Sequence, residues 1–379
     1  MTSIAHSSVS IQASPQSAPS LPCWFGEATL IARHLQREGV LAAIEEQVRF
    51  ARRRFGQYEV IDCVAVLLGS ARSFERTLEA FDECLQPWAD TFMALFGRDR
   101  KPSRSTLSRF LAALDQTAVE SLCTLFLKDG LSRPLVMEEQ SGGMFDRQGN
   151  HFLVFDVDGT REAARQRARP QTADRPVPQR RLRPLCAPGY TGRKRGEVVR
   201  SRTTILQAHT HQFLGTFGNP GNGEYRAELR QAVTSIQSSL QAHHHPEERA
   251  LLQMSGQYGT GADLAGLPFV MRGKDSQILK RAEVQARLKL PPDQHLTHPE
   301  SGMVRALYDC PDPPLGPEDM RCRLVVATHQ AEVAKSRIGV TRAGVVYEQF
   351  LTKLAQSACT ARDVVALYLH RGAEDQCIG

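Results

Sequence analysis

The sequence predicts a mixed α/β protein in which an all-helical region precedes a sheet-containing core. Three observations carry that prediction. Residues 26–135 place apolar side chains at roughly helical spacing. From residue 151 the pattern changes to short apolar runs rich in β-branched and aromatic residues, separated by glycine turns. The length, 379 residues, allows two or three domains with cores of their own. Composition is that of a globular chain, 41% hydrophobic and 23% charged, and no apolar run is long enough to predict a transmembrane helix.

Taken in order, the first 22 residues (MTSIAHSSVSIQASPQSAPSLP) are rich in Ser, Ala and Pro. They lack the basic and apolar regions of a secretory signal, so residues 1–25 read as a disordered lead-in. The helical region is placed at 26–140. GEATLIARHLQREGVLAAIEEQVRF has helical periodicity, and VIDCVAVLLGSA is apolar nearly all round, as a buried helix would be. QPWADTFMALFG follows, then a break at GRDRKP. SRSTLSRFLAALD sets Leu107, Phe110, Leu111 and Leu114 on one stripe, offers Ser103 or Ser105 as N-cap, and leaves Arg104 and Arg109 toward solvent. A helix, a turn and a capped helix with arginines near its start suit helix-turn-helix docking on DNA. The same pattern suits a plain helical hairpin.

The core is placed at 150–379. HFLVFDVD is an apolar strand ending in two carboxylates, and SRTTILQAHTHQFLGTF (201–217) reads as one long or two short strands with His209 and His211 on one face. GNPGNG reads as a turn. EYRAELRQAVTSIQSSLQA is an amphipathic helix with Tyr225, Leu229, Val233, Ile236 and Leu240 on its apolar stripe, closed by His243, His244 and His245. ALLQM is a short strand broken by SGQYGTG, and LPFVMR is another. This order matches the start of an RNase H-like fold, in which the first and fourth strands lie side by side and carry metal-binding carboxylates. The position at the end of the fourth strand is Ser255.

Charge and cysteine use narrow the function. The net charge is +6, and residues 161–200 alone hold twelve Lys/Arg, eleven of them Arg, against three acids. An arginine-rich tract directly after DVDGT points to a polyanionic partner, since the guanidinium fork suits phosphate. The nine cysteines are scattered, with no CxxC or paired ligand spacing, which indicates reduced thiols in the cytoplasm.

DVDGT itself admits two readings. LVFDVDGT fits the first motif of haloacid-dehalogenase-like phosphatases, with Asp156 as nucleophile and Asp158 as acid. Against it stand Arg161 after Thr160, where an apolar residue belongs, and the absence of a later GDxxxD-like acidic pair. The second reading is a carboxylate site for cutting and joining DNA ends, in which three acids from distant positions hold two magnesium ions.

Together, SRSTLSRFLAALDQ, LVFDVDGTR, CAPGYTGRKRGEVVR, LQAHTHQFLGTF, GQYGTGADLAGLPFVMRGKD and YLHRG resemble the bacterial insertion-sequence transposases of the DDE type. The resemblance spans about 60 to 372. It implies a helical DNA-binding region, an RNase H-like catalytic core, an insertion at roughly 275–340, and a two-metal site for Mg2+ or Mn2+. It also implies double-stranded DNA with inverted repeats as partner, a homodimer on that DNA, and a place on the cytoplasmic nucleoid.

Residue by residue, Asp158 matches the first aspartate. Ser255 stands where the second belongs. The helix signature Y-x2-R-x3-E is met by Tyr368 and Arg371, and its carboxylate falls on Asp375, with Glu374 one residue early. Asp158 and Asp375 are thus the expected metal ligands, and the chain reads as a truncated, substituted copy that does not cut DNA. Tyr190, Arg193, Lys194 and Arg195 are expected at DNA, and Arg272 and Lys274 at a phosphate near the site. The histidines read as solvated or packed rather than metal-binding, and GTGADLAG lacks the spacing of a nucleotide loop.

Overall fold

A computed structural model describes residues 20–48, 58–114, 116–133, 135, 143–163, 173, 187–189, 197–220, 225–258, 266–299, 301–310, 314–315, 320–331 and 339–374. The chain divides into two compact units, Met1–Phe126 and Leu127–Gly379.

The first unit is helical: α1 (Phe25–Arg37), α2 (Val40–Gln47), α3 (Val60–Ser73), α4 (Leu78–Leu85), α5 (Ala89–Ala94), α6 (Arg104–Ala113) and the start of α7 (Gln116–Ser132). The all-round apolar character of α3 has its expected cause, because Val60 to Val66 are buried without interruption. Glu59 and Asp62 form a reciprocal capping box at its start. Asp62 is buried because Arg98, at the GRDRKP break, reaches it at 2.5 Å while also meeting Glu45 and Glu59 at 3.1 Å. Trp24, Phe25, Phe81 and Phe92 pack in tilted and edge-on pairs in the core of this unit, with ring centroids 5.5–6.5 Å apart. Ser103 is the N-cap of α6, its hydroxyl accepting from the Thr106 amide. On the predicted stripe Leu107 and Phe110 are buried, whereas Leu111 is exposed.

The second unit is built on one mixed sheet of twelve strands. They are β1 (Met144–Phe145), β2 (His151–Ala163), β3 (Ala187–Gly189), β4 (Glu197–Gln207), β5 (Gln212–Pro220), β6 (Ala250–Met254), β7 (Phe269–Gly273), β8 (Gln294–Thr297), β9 (Val304–Cys310), β12 (Arg323–Gln330), β13 (Val340–Arg342) and β14 (Val345–Thr352); β10 (Pro314–Leu315) and β11 (Met320–Arg321) make a separate hairpin. The helices are α8 (Tyr225–Ala242), α9 (Ala282–Leu288) and α10 (Ala361–Glu374). The sheet runs β3-β4-β2-β6-β7-β14-β12-β9-β8, with β5 on β4, β1 on β2 and β13 on β14.

Strand β2 pairs antiparallel with β4 and parallel with β6, so the expected adjacency of the first and fourth long strands is present. Both faces of β2 are covered, which is why its sequence is a continuous apolar run rather than an alternation. Leu153, Phe155 and Val157 lie in the core cluster that holds the α8 stripe; Phe152 and Val154 lie in the cluster that holds Val364 and Val365 of α10. By the two-residue period, Asp156 and Asp158 share the α10 face.

Several boundaries differ from the expected ones. β2 continues five residues past Asp158, because Gly159 to Ala163 pair with Thr203 to Val199 of β4 instead of turning. His209 and His211 are not on a strand face: the 201–217 segment is a hairpin with residues 208–211 at its turn, and His211 has a φ of 54°. His209 Nε2 accepts from the Val154 amide at 3.3 Å. Gly218 to Pro220 of GNPGNG belong to β5. His243–His245 close α8 as a Schellman turn: His244, at φ 57°, takes the left-handed position, and the His245 amide returns to Leu240 at 2.8 Å. The 275–340 segment extends the sheet, since β14 docks antiparallel on β7 and carries β12, β9 and β8 outward.

Candidate functional site

The site is set by strand register. Val157 of β2 stands beside Met254, the last residue of β6, so the next position on each strand brings Asp158 alongside Ser255. Asp156 is buried on the same face, one pleat back, beside Gln253. Gln253 donates its side-chain amide to the Leu367 carbonyl at 3.4 Å, which ties α10 to this face. One helical turn further, Arg371 turns inward. Its Nη2 donates to Asp158 Oδ1 at 2.8 Å and its Nε lies 3.5 Å from Asp156 Oδ1. The Arg371 and Asp156 side chains are each 5% exposed, whereas Asp158 is 34% exposed.

The start of α10 is fixed by a capping box in which Thr360 and Asp363 exchange hydrogen bonds between backbone and side chain. Arg147 adds a fork to Asp363, at 2.6 and 3.1 Å. The Arg147 bond holds the Asp363 carboxyl at about 2, against the opposing effect of burial. Tyr368 packs edge-on against Phe350, and the Arg272 guanidinium lies 5.2 Å over its ring.

Below Asp158, on the α8 face, lies a buried polar network. Ser201 and Thr203 donate their hydroxyls to Glu228 of α8, and the Thr203 hydroxyl meets the Tyr258 hydroxyl at 3.1 Å. Burial pushes the Tyr258 phenol up, with the negative charges of Asp158 and Glu228 adding to it. The network anchors the Ser255-Gly256-Gln257-Tyr258 turn. Gly256 is required there, because a Cβ would meet the Arg272 carbonyl and the Lys274 stem. Ser255 Oγ is buried and has no hydrogen-bond partner among the described residues.

Cations crowd the open side. Burial, reinforced by the charges of Arg161 and Arg272 and opposed by Asp158, pulls the Lys274 amine below its ordinary value. Arg161 donates to the Tyr225 hydroxyl and lies 5.2 Å over that ring. Arg272 is paired with Glu348 of β14, so it is held by the protein rather than left for a phosphate.

Of the expected site residues, Asp158, Ser255, Arg371, Tyr368, Arg272 and Lys274 converge on this corner of the second unit. Glu374 ends α10; Asp375, Tyr190, Arg193, Lys194 and Arg195, like most of GTGADLAG, lie outside the described residues. Arg104 and Arg109 are exposed on α6; Arg104 pairs with Glu79, and Arg109 donates to the Ser105 carbonyl at 3.2 Å. The sequence did not single out Asp156 as a partner of Arg371, nor Glu228 and Tyr258 as the support beneath Asp158. For Glu228 a signal existed, an acid three residues after Tyr225 on the apolar stripe. For the Asp156–Arg371 contact there was none.

The described residues do not fit a pair of divalent ions. No group of three or more His, Cys, Asp or Glu among them is placed to share a metal. Asp158 and Asp156 face a guanidinium, and Ser255 offers a neutral oxygen where a charged ligand is needed. The phosphatase reading fails on access: Asp156, its nucleophile, is buried, and Asp158 sits mid-strand rather than in a loop beyond the strand end. No described helix is long and apolar enough to cross a membrane.

No protein-family model matches the chain, and no curated protein matches it. Among solved structures, it is similar to piggyBac transposase in a synaptic complex with hairpin DNA, at 12% identity and a TM-score of 0.39. The alignment covers 90% of this chain, which spans 65% of that one.

Proposed function

We propose that this chain is a DNA-binding protein of the DDE transposase type, with an RNase H-like core that does not cut DNA. The observation that carries the reading is the register of β2 and β6, which sets Ser255 beside Asp158 and brings Arg371 from α10 onto the same carboxylate. In this reading the place corresponds to the site the resemblance implies, while its donors are those of an ion pair. Breaking a phosphodiester by this route requires charge stabilisation of both the entering and the leaving oxygen. Among the described residues, one partly exposed carboxylate, a serine and an arginine do not supply it.

Binding needs less. Lys274, Arg161 and Arg272 give a positive field beside Asp158, the sequence of 161–200 adds many arginines, and phosphate contacts of this kind set affinity without reading sequence. In this reading Arg104, Arg109, Tyr190, Arg193, Lys194 and Arg195 contribute further backbone contacts, and the partner is double-stranded DNA.

The test uses the full chain with a supercoiled plasmid carrying the segments that flank its gene. Mobility shift should show binding that weakens about a thousandfold between roughly 50 and 200 mM salt, as expected for half a dozen phosphate contacts. Incubation with Mg2+ or Mn2+ should leave the plasmid supercoiled. Metal-dependent nicking that Asp158→Ala abolishes would overturn the proposal, as would salt-independent binding.

A further inference from the structure

We propose that Arg371 is the built-in counterion of the Asp156–Asp158 pair, and that a divalent cation and the Arg371 guanidinium compete for those carboxylates. The proposal rests on the reading of the core as non-cutting and adds the group that keeps metal out.

Two carboxylates two residues apart on one strand face repel each other, and a cation placed between them offsets that repulsion. A guanidinium answers that need, since it is always charged and is less strongly hydrated than an ammonium. Arg371 is placed for the role, with Nη2 hydrogen-bonded to Asp158, Nε within ion-pair distance of Asp156 at 3.5 Å, and its side chain almost fully buried. Its backbone is not free to withdraw. α10 is held at its start by the Thr360–Asp363 box and the Arg147 fork, along its length by Gln253 on Leu367, and one turn before Arg371 by Tyr368 against Phe350. A metal reaching Asp158 would have to displace the guanidinium into a region already shared by Lys274, Arg161 and Arg272. Ser255 gives no charge to offset that repulsion.

The test is Mn2+ binding to the full chain without DNA, followed by the electron paramagnetic resonance of free Mn2+. The unsubstituted chain should show no Mn2+ site that depends on Asp158. Arg371→Gln, which keeps hydrogen-bonding capacity and removes the charge, should gain an Mn2+ site at least about tenfold tighter than any residual binding by the unsubstituted chain, and adding Asp158→Asn should abolish the gain; no gain in a folded Arg371→Gln chain would overturn the proposal. Arg371→Lys, which keeps a cation there, should stay silent.

If Arg371→Gln does not fold, Ser255→Asp decides. With Arg371 in place it should still give no stoichiometric Mn2+ site, and a tight one would overturn the proposal. So would one Mn2+ per unsubstituted chain lost on Asp158→Asn. That last result, with the plasmid still uncut, would sink the counterion role alone; nicking by the unsubstituted chain would sink the non-cutting reading.

Discussion

Glu348→Gln should be the most damaging single isosteric change in the second unit. Glu348 on β14 is fully buried, and its carboxylate is shared by Arg272 from β7 and by Arg305 from β9 at 2.9 Å; His329 of β12 lies 3.4 Å away. Four strands of the extended sheet therefore converge on one anion. Glutamine keeps the shape and one accepting oxygen, but it turns amide protons toward the other guanidinium and leaves two cations, 20% and 9% exposed, without a counterion.

Removing one member of a buried pair costs about 3–5 kcal/mol. For a unit of this size each kcal/mol moves the midpoint by about 2–4 °C, so a fall on the order of 10 °C is expected. Differential scanning calorimetry of the full chain reads it directly, with Glu348→Asp as a control that retains the charge and should fall less. A shift under about 2 °C would refute the reasoning, because it would mean that the two guanidiniums are hydrated and that Glu348 is not their necessary partner.

Three further outcomes follow from the same geometry. Asp363, held at about 2 against an ordinary 3.8, stabilises the folded state fully above its ordinary value, and that stabilisation is lost as pH falls toward about 2; Asp363→Asn should lower the neutral-pH midpoint and flatten the acid limb between those values in a pH series of thermal melts. Gly256→Ala should cost about 1–3 kcal/mol in urea denaturation, because its Cβ meets the backbone carbonyl of Arg272, which cannot swing aside as a side chain can. Burial pushes the Cys63 and Cys310 thiols up to about 12 and Cys359 to about 11, while Cys23 is exposed; iodoacetamide at mildly alkaline pH should alkylate Cys23 at least about a hundredfold faster than these three, with the difference erased in denaturant.

What the sequence made legible was local. The stripe of α8, the unbroken apolar character of α3 and the doubly buried β2 are each written in spacing, so their existence and type could be read. The extent of β2 could not. Gly159, Thr160 and Arg161 have turn-like composition, and only pairing with Thr203, Arg202 and Ser201 keeps them extended. For residues 275–340 the resemblance implied an insertion, and nothing nearby announces that β14 will dock on β7. Glu348 collects Arg272, Arg305 and His329 from three other strands, a grouping that no spacing reports. At the site, resemblance supplied Asp158, Ser255, Tyr368 and Arg371, but as members of a metal centre. The guanidinium–carboxylate contact that joins two of them needed the depth at which α10 lies on the sheet.

That depth also fixes an order of events. The Arg371–Asp158 contact spans 213 residues, whereas the strands flanking β2 are supplied by β4 and β6, much nearer in sequence. A nascent chain can therefore lay down the sheet through β14 while the face bearing Phe152, Val154, Asp156 and Asp158 is still uncovered. Until α10 arrives, that strip is both sticky and anionic, and helix docking is the late step that seals it. Slippage in that step would leave exposed apolar surface beside unneutralised charge. A ribosome-stalled series ending before and after α10 would thus differ in protease resistance far more than the length of one helix suggests.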